Sequence, residues 1–333
     1  MLARLRIDPF LIVLVAVLAL ASIVPVRSDA ARAFDTVQDI AIALLFFLHG
    51  AKLSRGAILA GIGAWQLHLA VLFTTFGLFP LLGLGALAVI GTVIDPLIGT
   101  GILFLTILPS TVQSSIAFTA IARGNVPAAV CSASMSNLIG IVLTPLLAAL
   151  LIGGRMAGGS FFLSAVVTIA SQLLGPFILG HLSRPWLGTY IDRYRPWVMR
   201  FDRGVILLVV YTAFSAAVVE GLWTRLSIDD LGIVILVSSA LLAAVLGLTG
   251  LIGRWMRLER PDAAVLTFCG SKKSLASGVP MASALFPSAE VGMIILPLML
   301  FHQLQLIVCS IIAGRQARRD DQAGEMNNVA HGA

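Results

Sequence analysis

The chain has 333 residues, of which 59% are hydrophobic and 11% charged, and it carries a formal net charge of +6. A soluble domain carries roughly 25% charged residues, so this composition excludes a soluble globule. The basic residues fall in short segments between apolar runs, which points to membrane topology and excludes a nucleic-acid partner.

Apolar runs of about 17 to 25 residues, long enough to cross a hydrocarbon core of about 30 Å, recur from end to end. Charged, Gly and Pro punctuation divides them into ten expected transmembrane helices: 10–26, 36–51, 58–79, 95–122 with a break, 126–150, 161–182, 204–223, 231–255, 262–286 with a break, and 291–313. The first follows a basic start with Arg4 and Arg6. No A-x-A-like site ends it, so it reads as a span rather than a leader. The Gly-rich run 77–91 around Pro80 reads as a boundary or as a long tilted end of the third span. Cys131, Cys269 and Cys309 lie in apolar segments and suggest neither a disulfide framework nor a zinc site.

Placing the amino terminus in the cytoplasm leaves only Arg27, Arg32, Arg155 and Arg225 outside. Lys272 and Lys273 fall within the membrane, and all other Lys and Arg lie inside. That asymmetry predicts a multi-pass inner-membrane protein with both termini cytoplasmic. The segment 183–203, with Trp186, Tyr190, Tyr194 and Trp197 among its arginines, reads as a linker at the inner interface. Residues 315–333 read as a polar, disordered cytoplasmic tail.

The fourth and ninth segments share a pattern. "DPLIGTGILFLTILPSTVQSSIAFTAIARGN" starts at Asp95-Pro96 and is interrupted around Pro109, Ser110, Thr111, Gln113, Ser114 and Ser115. "RPDAAVLTFCGSKKSLASGVPMASALFP" starts at Pro261-Asp262 and is interrupted at Gly270, Ser271, Lys272, Lys273 and Ser274. These are corresponding positions of spans 1–5 and 6–10. An odd number of spans per half makes the second half enter the membrane in the opposite sense. The fold expected is therefore all-α and polytopic, in two inverted five-helix repeats (about 8–152 and 160–314), with discontinuous helices 4 and 9 meeting near the midplane at a binding site. One Pro-Ser interruption alone would read as a kink. The pairing of two polar breaks is what points to transport.

A lysine at the bilayer centre costs about 2.5–3.5 kcal/mol on insertion scales, so an intramembrane pair demands a reason. One reading makes Lys272 and Lys273 mechanistic, one facing the crossover and the other the substrate cavity, where it attracts an anion. The other reading makes them structural, donating to carbonyls freed by the breaks. On span 5, Ser132 and Ser136 share a face with Asn137 adjacent; His302, Gln303 and Gln305 occupy a comparable place on span 10. The serines read as helix glue, and Asn137 and Gln303 as ligand candidates. His68 reads as a proton relay or as a hydrogen-bonded packing residue. The candidate substrate- or ion-binding residues are thus His68, Gln113, Ser114, Ser115, Asn137, Ser271, Lys272, Lys273, Ser274 and Gln303, with no metal ligand among them. No nucleophile–base pair or phosphate cradle emerges, so an enzyme is not expected.

The stretches "DPFLIVLVAVLALASIVP", "IALLFFLHGAKLS", "ARGNVPAAV", "LTPLL" and above all "CGSKKSLASGVPMA" resemble the bile acid:sodium symporter family, in its SBF-like branch, over essentially the whole ten-span region. The resemblance implies a core domain of spans 3–5 and 8–10, a panel of spans 1, 2, 6 and 7, and a substrate between them. Sodium-coupled members place a Ser-Asn pair where this chain has Ser114 and Ser115, and hydroxyls where it has Ala129 and Ala133. They place a glutamate at Phe268 and a Gln-Asn pair at Lys272 and Lys273. Several oxygen ligands are thereby lost, which leaves the coupling ion open between Na+ and H+. The expectation is a secondary active transporter of a small organic anion in the lipid bilayer, without a cofactor and of open oligomeric state. The alternative is a channel-like or non-transporting regulator of ion homeostasis on the same scaffold.

Overall fold

In the computed structural model, residues 9–52, 64–153 and 169–331 are described, and among them the chain is helical with no strand. The helices are α1 (Pro9–Ile23), α2 (Ser28–Lys52), α3 (Trp65–Ile90), α4 (Pro96–Ile107), α5 (Gln113–Ile121), α6 (Val126–Leu151), α7 (Gly175–Arg193), α8 (Arg195–Val219), the short α9 (Leu222–Arg225), α10 (Ile228–Trp255), α11 (Arg260–Gly270), α12 (Leu275–Leu285) and α13 (Ser288–His331). Arg4, Arg6, Arg55, Arg155 and the first residues of the third and sixth expected spans lie outside the described residues.

Five of these helices are long and apolar enough to cross a membrane: α3, α6, α8, α10 and Ser288–Arg318 of α13. Helix α2 carries Asp29, Arg32, Asp35 and Asp39, which lowers its hydropathy. The pieces α4, α5, α11 and α12 run from 9 to 12 residues. At 1.5 Å per residue the longest reaches only about 18 Å, so each crosses a bilayer only together with its partner.

Two boundaries differ from the sequence reading, and a third takes the longer of its readings. The Gly-rich run around Pro80 is helix, so α3 continues to Ile90 through a π-helical turn at Thr74–Leu78, the long end of the third span. The 183–203 segment is also helical: Pro196 stands in the first turn of α8, where no N–H is needed, and only Tyr194 (φ −98°, ψ 21°) separates α7 from α8. Polar composition suggested a linker there because an interfacial helix and a loop share the same residue types. Helix α13 runs on to His331, where a disordered tail was expected.

Close packing sets the frame around the breaks. Helices α2 and α7 meet backbone to backbone: a Cβ on Gly50 would lie 2.0 Å from the Phe177 carbonyl oxygen, and one on Gly180 would lie 1.9 Å from that of Phe47. Small residues permit such approach between membrane helices. On the other side, α4 runs against α13, with Gly101 facing the Ile294 carbonyl and the Phe104 and Phe286 rings edge to face at 5.3 Å. Every residue from Gly101 to Thr111 and from Phe268 to Leu275 is buried. Apart from the half-buried Val112, the non-helical backbone of both breaks is therefore enclosed in protein, the condition under which it is tolerated at membrane depth.

Candidate functional site

Pro109 forces the residue before it out of the helical region, and Leu108 is extended (φ −73°, ψ 155°), which ends α4. The last carbonyls of α4 then lack helical donors. Those from Thr106 onward find substitutes. Thr106 O and Leu108 O accept from Lys273 Nζ at 2.6 and 2.8 Å, and Ile107 O accepts from the Thr144 hydroxyl at 2.9 Å. Pro109 O accepts from the Ser274 backbone N–H at 2.9 Å, and Ser110 O from Asn137 Nδ2 at 2.7 Å. Five consecutive buried carbonyls are thus satisfied, two of them by one ammonium group.

Lys273 has a third acceptor, the Thr75 carbonyl at 2.7 Å. Its availability follows from the sequence of α3. In the π-turn the Phe79 N–H bonds to Thr74 O; the next bond in that register would run from residue 80 to Thr75 O, but Pro80 has no N–H. The ammonium fills that vacancy and also lies over the Phe79 ring, 4.2 Å from its centroid. Lys273 thereby ties α3 and the first break to the second break.

In the second break the Lys273 backbone is itself clamped. Gln305 on α13 accepts from its N–H and donates to its carbonyl, both at 2.8 Å. Ser136 and Asn137 on α6 do the same for Ser110 in the first break: Ser136 Oγ accepts from the Ser110 N–H at 3.0 Å while Asn137 holds its carbonyl. The breaks are joined directly where Ser115 Oγ donates to Phe268 O at 2.8 Å.

Lys272 points elsewhere. Its Nζ donates to Ser114 Oγ at 2.9 Å and sits 4.2 Å above the Phe118 ring. Both lysines are fully buried. Neither forms an ion pair with a carboxylate among the described residues.

The other sequence candidates divide. Ser114, Ser115, Asn137, Ser271 and Ser274 belong to the crossover. Asn137 Oδ1 also accepts from Ser277 Oγ at 2.8 Å, Ser271 Oγ donates to Thr267 O at 2.5 Å, and Ser274 caps α12 by accepting from the Ser277 N–H at 3.1 Å. Gln113 is exposed at the start of α5, and Gln303 is half-buried, apart from the bonds that hold the breaks. His68 is buried on α3, with Nδ1 2.7 Å from Ser132 Oγ. Gln305, rather than Gln303, holds the backbone of the second break: two residues on a helix turn the side chain by about 200°, and Gln305 faces the break. Thr75, Thr144 and Ser277 were not singled out. The spacing of Thr75 and Pro80, and a serine three residues after Ser274, were their only signals.

A cavity of about 460 Å³ opens among the ends of α1, α2 and α8 and the start of α13, lined by Arg27, Phe34, Asp35, Thr212, Glu220 and Ser288 among others. The Thr212 hydroxyl donates to Gln38 Oε1, and Gln38 Nε2 donates to Ser283 Oγ on α12 at 2.6 Å. This chain of polar groups links the cavity floor to the second half of the broken pair α11/α12.

Comparison with known proteins identifies a transporter family. The model of the SBF-like CPA transporter family matches residues 8–318. The chain is 51% identical over 316 residues to the "Putative symporter YfeH" of Escherichia coli (strain K12), covering 95% of each chain. It is also 51% identical over 317 residues, again 95% of each, to protein PA2026 of Pseudomonas aeruginosa. At 26% identity over 321 residues it is similar to the sodium/bile acid cotransporter 7-A of Xenopus laevis, covering 94% of this chain and 92% of that one.

Proposed function

Because the chain belongs to the SBF-like CPA transporter family, we propose that it is a secondary active transporter that moves a small organic anion across the inner membrane by alternating access. The observation that carries this reading is the enclosed crossover, where two broken helices present unwound backbone at depth and an ammonium group stitches three separate chain segments together. Transporters build binding sites from such discontinuous helices, and two buried lysines with no paired carboxylate among the described residues favour an anionic substrate.

The matched clamps support the inverted repeat of ten spans. Ser136 and Asn137 hold the backbone of Ser110 as Gln305 holds that of Lys273, each from the helix that follows its broken pair. In this reading α3–α6 and α10–α13 form the core, and α1, α2, α7 and α8 form the panel. The 460 Å³ cavity between α1, α2, α8 and α13 is the outer substrate entrance. Both termini lie in the cytoplasm, in line with the basic residues of the loops.

Lys273 supplies charge at a position where the sodium-coupled relatives of the resemblance place an ion ligand. The tethered ammonium does the electrostatic work of a bound cation, and this chain has no need of sodium at that point. The test is uptake of labelled organic anions by the purified protein in proteoliposomes. Saturable, gradient-driven accumulation supports the transporter. Ion conductance without accumulation of any anion overturns it in favour of the channel-like alternative.

A further inference from the structure

The two lysines are adjacent in sequence, yet chemistry holds them differently. The three partners of Lys273 Nζ are all carbonyls, and a carbonyl only accepts. An ammonium has three N–H donors, one for each. A neutral amine has one fewer, so loss of the proton would orphan a buried carbonyl and turn the nitrogen lone pair toward oxygen, which is costly in a dry interior.

Lys272 has instead a hydroxyl and a ring face as partners. A hydroxyl both donates and accepts. With Lys272 as ammonium, Ser114 Oγ accepts from it and turns its own hydrogen to Thr111 Oγ1, 2.9 Å away. With Lys272 as amine, the same hydroxyl rotates and donates to the nitrogen. The Lys272–Ser114 bond is kept in either protonation form by one bond rotation. The groups around Lys272 leave its charge unfixed: Ser114 and Phe118 face it from α5, the thiols of Cys269 on α11 and Cys309 on α13 are within electrostatic reach, and no carboxylate pairs with it among the described residues. Ser114, its hydrogen-bond partner, is only half-buried, and the neighbouring Gln113 is exposed.

Resting on the transporter reading, we infer that Lys272 is the proton-binding site that couples transport to a proton gradient, and that Lys273 is a permanent cation that holds the crossover. When the crossover opens to one side, an Nζ–H bond of Lys272 breaks. The electron pair stays on nitrogen and the proton passes by way of Ser114 to water; protonation from the other side reverses the step.

Lys52, Lys272 and Lys273 are the only lysines of the chain, so 15N-lysine labelling of the full-length protein gives three side-chain amine signals. Lys52→Arg and Lys272→Arg assign them, leaving Lys273 by elimination. As the pH is raised over the range in which the protein stays folded, Lys272 is expected to pass from ammonium to amine while Lys273 stays ammonium. A Lys272 that remains ammonium throughout, or a Lys273 that loses its proton first, overturns the assignment, and this readout needs no substrate. In proteoliposomes a pH gradient is expected to drive anion uptake by the wild type, and Lys272→Arg is expected to lose that dependence. Uptake by Lys272→Arg that still follows the pH gradient overturns the proton site while leaving the transporter standing.

Discussion

At the scale of single residues, Lys273 is the side chain on which the crossover depends. Replacing it by Met leaves the carbonyls of Thr75, Thr106 and Leu108 buried without donors. At about 1–3 kcal/mol for each orphaned group, Lys273→Met is expected to destabilise the protein by about 3 kcal/mol or more, read as a lowered midpoint of thermal unfolding in detergent. An unchanged midpoint would contradict the stitching role. Gln305→Leu is expected to cost about 2 kcal/mol, since it frees both backbone groups of Lys273. Gln303→Leu is expected to fall within about 0.5 kcal/mol of wild type, and the same melts compare the two directly. Both lysines stood out in the sequence because charge is rare in apolar segments. The choice between Gln303 and Gln305 did not, because it depends on which face of α13 meets the break, a fact of tertiary packing.

At the scale of elements, the π-turn in α3 and Lys273 form one device. Pro80 removes the donor that would have bonded Thr75 O, and the ammonium replaces it. Pro80→Ala alone is expected to change little. In a Lys273→Met background it restores an N–H near the orphaned carbonyl and is expected to recover about 1 kcal/mol, a non-additivity that a double-mutant cycle in thermal stability detects. The α2–α7 contact gives a second prediction. Gly180→Leu would drive a side chain into the Phe47 carbonyl and is expected to prevent close packing and lower the yield of folded protein. Gly247→Ala, where a Cβ meets nothing within 4 Å, is expected to be neutral or to stabilise by up to about 1 kcal/mol through helix propensity. Both breaks were legible in sequence, since Pro109 and the polar run 270–274 interrupt apolar helices. The π-turn was not legible, because "TTFGLFP" has no periodicity that separates it from an α-helix or a helix end. The helical 183–203 segment was missed because aromatic and arginine residues suit an interfacial helix as well as a loop.

At the scale of the whole molecule, few side-chain hydrogen bonds among the described residues join the broken helices to α2 and α8. Gln38 is the clearest of these, bonding Thr212 on α8 and Ser283 on α12 from α2. The other contacts among these helices are largely apolar, so in the proposed alternating access one group would move against the other without leaving many buried polar groups unpaired. Helical class and membrane character followed from composition alone. The meeting of the two breaks was anticipated from their matched positions, but the identity of the groups that bind them was not, because it rests on backbone carbonyls that carry no sequence signal. The most direct test of the central claim is uptake of a labelled organic anion into sodium-free proteoliposomes containing the purified protein, comparing wild type with Lys272→Met and Lys273→Met. The account predicts saturable accumulation without sodium that falls in both variants. Uptake that strictly requires sodium, or that is unchanged in both, would contradict it.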